Sequence, residues 1–264
     1  MTQLSTANFL KKTREYFWGL GLDEVEISYL NSSLPLEPNL YSFKTGDYYL
    51  PTSPEFALKK YLAEYKKDCF SIAHCFRHLE SSGPQHKPEF LMLEYYLVNK
   101  NLSDLQESLK KYLSLFLSLK FEVLCLPANL PANEPDFNQY FLNTIEPNLP
   151  KDKAVFITGY PAFLSPLAVV GTDLRVCSPP QPTAKRFELY INGIEIANGC
   201  EENRDAEQIK MAFETEKKYR QANDLPIHPI SLEFIDNCAS LPPCSGLGLG
   251  LERLMMIINQ KNSL

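Results

Sequence analysis

Near its C-terminal end the chain reads Gly246-Leu247-Gly248-Leu249-Gly250-Leu251-Glu252-Arg253-Leu254, and no other stretch restricts the possible folds as much. Residues two apart share one face of a strand, so the three glycines leave one face bare while leucines fill the other. A bare face lets a flat ligand lie against backbone, and it equally lets a neighbouring backbone pack close. The stretch alone does not separate these uses. The apolar run from Leu249 to Ile258 predicts a helix carrying Arg253 in its first turns. A bare platform beside a fixed cation suits a nucleotide with a phosphate tail. The spacing is not GxGxxG, and the context is not a βαβ unit, so this is no dinucleotide fingerprint.

Upstream, hairpins and helices are mixed. Ser5 to Leu20 has an apolar helical face, and Asp23 to Tyr29 alternates as a strand. Residues 31–45 read as a loop, and Thr52-Ser53-Pro54-Glu55 has the chemistry of a helix start. Cys69 to Phe76 and Glu89 to Val98 predict a long-looped antiparallel hairpin. In its second strand Leu91, Leu93, Tyr95 and Leu97 share one face, while Phe90, Met92, Glu94 and Tyr96 share the other. A carboxylate among aromatics is costly without a partner, which marks that face as a candidate site wall. A helix is predicted over Leu102 to Leu119, a loop-rich region over Cys125 to Lys153 and a strand over Ala154 to Tyr160. Lys185 to Asn198 is a hairpin turning at Asn192-Gly193, and Arg204 to Asn223 is a charged helix. The expected class is α+β, with a mainly antiparallel sheet flanked by helices.

Net charge is −6 and no basic cluster appears, which counts against extensive nucleic-acid contact but not against a small anionic ligand. Seven cysteines without a CxxC pair predict reduced thiols of a cytoplasmic protein, with neither a disulfide frame nor zinc. The apolar run near Leu113 to Leu119 is bounded by Lys111 and Lys120, and Met1 to Lys12 has no signal-peptide core, so no membrane association is expected.

Four elements stand in order: Arg77 in Phe76-Arg77-His78-Leu79-Glu80, the segment His86-Lys87-Pro88-Glu89-Phe90, the set Glu195…Asn198…Glu202, and the glycine strand with Arg253. Together they resemble the three signature motifs of class II aminoacyl-tRNA synthetases. Motif 1 is the Asp23-to-Tyr29 strand with its helix, motif 2 runs from Phe76 to Tyr96, and motif 3 from Gly246 to Arg253. Thr52-Ser53-Pro54-Glu55, Gly193-to-Gly199 and Leu225-Pro226-Ile227-His228-Pro229 look like the lysine branch. Pro243-Cys244-Ser245-Gly246 resembles the lysyl-tRNA-synthetase paralogue family called GenX, PoxA or EpmA, which ligates (R)-β-lysine to a lysine of elongation factor P.

The resemblance implies a single catalytic domain over 1–264 without an anticodon-binding domain, acting as a homodimer with ATP and Mg2+. It implies that an amino acid, (R)-β-lysine or lysine, is activated as an adenylate and passed to elongation factor P. Arg77 would hold the α-phosphate and Arg253 the γ-phosphate, as the catalytic pair. Phe90 would stack on adenine, with Glu80, His86 and Lys87 nearby, and Ile196, Asn198 and Gly250 would complete the ATP site. Ser53, Glu55, Tyr96 and Glu202 would line the amino-acid pocket, while Glu195 and Glu202 would reach the metal. Four features depart from the family pattern: Ser28 replaces a proline at the dimer seam, His78-Leu79-Glu80 replaces an Asn-Glu-Glu type loop, Lys87 replaces an asparagine, and Gly248 stands where the paralogue often has alanine. Competing expectations are aminoacylation of tRNA or a tRNA-like acceptor, and a catalytically silent binding or regulatory paralogue.

Overall fold

A computed structural model gives the structure of residues 4–79, 86–127, 129–171 and 182–260. Helix α1 (Thr6–Gly19) starts at Ser5, whose Oγ accepts from the Asn8 N–H, and it ends before Gly21 at φ +84°. Strand β1 (Asp23–Glu24) follows, then a small hairpin of β2 (Lys44–Thr45) and β3 (Tyr48–Tyr49). Helix α2 (Glu55–Tyr65) leads into β4 (Cys69–Phe76) and β5 (Glu89–Val98). Helix α3 (Leu102–Leu113) carries a capping box between Asn101 and Asp104. After β6 (Phe121–Cys125), α4 (Glu134–Tyr140) and β7 (Ala154–Thr158) comes the hairpin β8 (Arg186–Ile191) and β9 (Ile194–Glu201). Its turn holds Asn192 at φ +57° and Gly193 at φ +76°, the left-handed pair that a type I′ turn requires. Helices α5 (Ala206–Ala222) and α6 (Leu232–Ala239), strand β10 (Cys244–Gly250) and helix α7 (Leu251–Ile258) complete the described chain.

Eight strands form one sheet in the order β1-β4-β5-β10-β9-β8-β7-β6. All pairs are antiparallel except β1 with β4 and β6 with β7, so the expected α+β class with a mainly antiparallel sheet holds. The glycine strand is its centre, with β5 on one side and β9 on the other. Leu247 and Leu249 enter the main core with Phe17, Leu93, Tyr95 and Phe187. The opposite face of β5 and β10 is therefore left for the site.

Packing also fixes the segment before α2. Arg220 of α5 is fully buried, pairs with Glu216 Oε1 at 2.6 Å and lies over the Tyr41 ring. Its remaining N–H groups donate to the carbonyls of Glu37, Leu40 and Pro226. A buried guanidinium needs all of these acceptors, so it holds residues 37–40 against α5.

Several expectations change. The motif 1 strand is paired only at Asp23 and Glu24: it lies at a sheet edge with one neighbour, and the chain leaves the sheet after Val25 donates to Phe70 O. Helix α3 ends at Leu113, six residues early. Cys125 to Lys153 is not simply loop, since it contains α4, a π-type turn over Phe141–Ile145 and a 3-10 turn over Glu146–Asn148. Helix α6 has no counterpart in the sequence reading. The expectation of reduced thiols fails at one position, because Cys125 is disulfide-bonded. Cys69, Cys75, Cys200, Cys238 and Cys244 are free. Among the described residues, no helix is long and apolar enough to cross a membrane.

Candidate active site

A cavity of about 880 Å³ lies on the glycine face of the sheet. Every candidate residue within the described chain lines it: Ser53, Glu55, Arg77, His86, Lys87, Phe90, Tyr96, Glu195, Ile196, Asn198, Glu202, Gly250 and Arg253. Glu80 lies outside the described residues. The hairpin β4–β5 supplies one wall, β9 the other, and β10 the floor between them.

One end is cationic and aromatic. Arg77 follows β4, its Nε donates to Thr52 O at 3.2 Å, and its guanidinium lies 5.1 Å from the centre of the Phe90 ring. Arg253, in the first turn of α7, donates from Nη1 to Glu195 O at 3.0 Å and stands 3.6 Å from Glu195 Oε2. Arg186 is held by Asn198 Oδ1 at 3.0 Å and Ser165 Oγ at 2.9 Å, and it pairs with Glu188. Asn198 thus lines the cavity with its carbonyl oxygen already engaged. Burial and the neighbouring Glu188 push the Glu195 carboxyl up to about 7, against the pull of Arg253, Arg186 and Arg77.

The other end is acidic and built around a lysine. Lys59 on α2 is fully buried, with Nζ 2.7 Å from Glu55 Oε1 and 2.7 Å from Glu202 Oε2. The two carboxylates more than offset the cost of burying its charge, so it is held well above the usual lysine range. Glu94 accepts from Tyr96 OH at 2.7 Å and is only 4% exposed. Burial, with Glu55 nearby, raises its carboxyl well above the ordinary range. Burial is also the main cause raising Glu202, opposed by Lys59. Glu37 lines the same end, its carboxyl within hydrogen-bonding reach of Glu55 and pushed up to about 8 by burial and by that neighbour.

The glycine strand combines close packing at one position with bare backbone at another. A Cβ on Gly246 would lie 2.3 Å from Tyr96 Cδ1, so this glycine exists for close packing. At Gly250 the nearest atom is 3.8 Å away, on Arg253, which leaves bare backbone facing the cavity. At Gly248 a Cβ would meet Met92 Sδ at 3.2 Å and approach Glu94 Oε2 to 3.9 Å. Gly246→Ala is therefore expected to push Tyr96 off Glu94 and cost about 1–3 kcal/mol in stability. The amino-acid KM should rise while the ATP KM holds, and steady-state kinetics on the variant would check this.

Strand geometry bears on the metal expectation. Glu195 and Glu202 stand near opposite ends of β9, roughly 20 Å apart at a strand's rise per residue. One ion does not bridge that separation. Glu202 is instead held by Lys59, while Cys200 Sγ lies 3.3 Å from its Oε1. Tyr190 pairs across the hairpin with Glu195 and shares its face with Glu188, so Glu188 and Glu195 are neighbours at the cationic end. Two adjacent carboxylates suit a hard divalent cation that takes its other ligands from phosphate and water.

The family of class II tRNA synthetases (D, K and N) matches residues 4–264. The chain belongs to this family. Within it, relatives named elongation factor P–(R)-β-lysine ligase match over nearly full length. The protein of Hamiltonella defensa is 30% identical over 98% of this chain and 91% of its own. That of Buchnera aphidicola is 31% identical over 99% and 92%, and that of Salmonella typhi 31% over 96% and 90%. The resemblance read from the motifs, down to this paralogue of the lysine branch, is thereby supported across the class II domain.

Four residues at this cavity escaped the sequence reading. Lys59 is four residues after Glu55, a spacing that also describes any exposed helix pair. Glu188 precedes Glu195 by seven residues, and the Asn192-Gly193 turn between them could have revealed the pairing. Arg186 shares that strand. Glu37 lies in a loop with no periodicity to read. Glu94 was recognised as a carboxylate on a site wall but given no role.

Proposed function

We propose that this chain activates (R)-β-lysine or lysine with ATP and transfers it to a lysine side chain of elongation factor P. The observation that carries the reading is the polarity of one cavity: guanidinium groups and an aromatic ring at one end, and carboxyls around Lys59 at the other. A polyphosphate and a diammonium amino acid have the complementary charges, and the cavity sets them side by side.

In the first step the amino-acid carboxylate attacks the α-phosphorus, the bond to the bridging oxygen breaks, and pyrophosphate leaves. The nucleophile is already an anion, so no general base is required. The barrier is electrostatic, and preorganised cations lower it. Arg77 neutralises the α-phosphate, Phe90 stacks on adenine, and Arg253, fixed by the Glu195 carbonyl, meets the γ-phosphate. Glu188 and Glu195 would hold Mg2+, which supplies charge neutralisation at the phosphates when bound. Glu55 and Glu202, both paired with Lys59, receive substrate ammonium groups, with Glu94 and Tyr96 behind them. In the second step a neutral lysine amine of the acceptor attacks the acyl carbon, AMP leaves and the amine loses a proton. The reading includes a homodimer through the motif 1 segment, where Trp18, Leu20, Tyr29 and Leu30 expose apolar side chains.

The test supplies labelled (R)-β-lysine and lysine with ATP to the purified chain, together with elongation factor P or tRNA. Label is expected on elongation factor P. Label on tRNA alone would make the chain a tRNA ligase, and absence of pyrophosphate exchange with either amino acid would make it a silent paralogue.

A further inference from the structure

Glu37 lies between Pro35 and Pro38, on the segment whose Glu37 and Leu40 carbonyls are gripped by the buried Arg220. Leu36 beside it is fully buried with Ile209, Phe213 and Phe234. A side chain on so fixed a backbone keeps its place, and that place is the cavity wall beside Ser53 and Glu55. The Glu37 and Glu55 carboxyls are within hydrogen-bonding reach of one another. Two carboxyls this close share either a proton or a cation. Lys59 already serves Glu55 at 2.7 Å and Glu202 at 2.7 Å, so Glu37 is the acid left over at this end.

We propose that Glu37 is a fourth carboxyl group of the amino-acid pocket, which seats one of the substrate's ammonium groups jointly with Glu55. The inference rests on reading the cavity as an amino-acid-activation site. It explains why a pocket that already holds Glu55, Glu94 and Glu202 carries one more acid on a separately clamped loop. A substrate with two ammonium groups offsets that excess, whereas a monoamino acid leaves one carboxylate unpaired. In the empty pocket the proton shared by Glu37 and Glu55 takes the place of the ammonium. When the ammonium arrives, that proton leaves to the buffer, so binding and proton release are coupled. The charged and titratable groups facing Glu37 are Glu55 and Lys59 from α2, Arg77 after β4, and Cys238 from α6.

Titration calorimetry of the full chain with (R)-β-lysine and with lysine, near neutral pH in two buffers of different ionisation heat, tests this. The parent should release about one proton per site. Glu37→Gln should release none and bind the amino acid at least ~10-fold more weakly, with ATP affinity unchanged. Equal affinity and equal proton release in the variant would overturn the role of Glu37 alone. Loss of ATP affinity alongside amino-acid affinity would make Glu37 a structural residue and overturn it too. If the parent binds ATP but neither amino acid, the activation-site reading falls and this inference falls with it.

Discussion

Arg253→Ala is expected to lower lysine- or β-lysine-dependent pyrophosphate exchange by roughly 10³-fold, a barrier increase of about 4 kcal/mol. The side chain is held from behind, through Nη1 to Glu195 O at 3.0 Å, and its charge faces the cavity across a bare Gly250. Removing it loses a cation whose position was fixed before substrate arrived. Alanine favours the helix, so α7 should keep its packing through Leu251, Leu254 and Met256. Circular dichroism and the thermal midpoint should therefore match the parent. Exchange at the parent's rate would show that Arg253 does not meet the phosphates. Loss of exchange together with loss of fold would show that it holds the helix instead.

Lys59→Met carries the largest expected cost in stability, about 3–5 kcal/mol. Methionine fits the space but leaves Glu55 and Glu202 without the ammonium 2.7 Å from each. In the variant these acids would be charged only at high cost, so their folded-state affinity for protons would rise above that of the unfolded chain. By linkage the variant then loses stability as pH increases beyond the ordinary carboxylate range. Urea midpoints should differ most near pH 8 and converge towards pH 5. Amino-acid activation should be lost at every pH where the variant is folded. A variant as stable as the parent at pH 8 would show that the buried triad contributes no net stabilisation.

Legibility in the sequence followed the source of each residue's constraint. The hairpin β4–β5 was readable to its ends because alternation places Leu93 and Tyr95 in the core and Met92 and Glu94 in the cavity. The Asn192-Gly193 turn was readable because few residues accept a left-handed backbone. Motif resemblance then gathered thirteen candidate positions that do line one cavity. The β1 edge was overestimated, since alternation reports a preference for extended backbone and not the presence of a partner. The acid nearest Glu195 was not legible because spacing was counted along β9, whereas Glu188 lies across the hairpin. Lys59 and Glu37 were missed for a different reason: the Lys59 pair with Glu55 has the spacing of any exposed helix pair, and its contact with Glu202, like the clamping of Glu37 by Arg220, joins segments far apart in sequence.

The central position of β10 has a consequence for how the protein is made. The strands of hairpins β4–β5 and β8–β9 are close in sequence, but among the described residues the two hairpins are joined in the sheet only by β10, which comes about forty residues or more after either of them. Until that strand emerges, β5 and β9 each present an open edge, and the two walls of the site belong to separate pieces. Insertion of β10 seals both edges and creates the cavity in the same event. Folding of the sheet and competence for catalysis should then appear together, late, and without a stage in which one precedes the other.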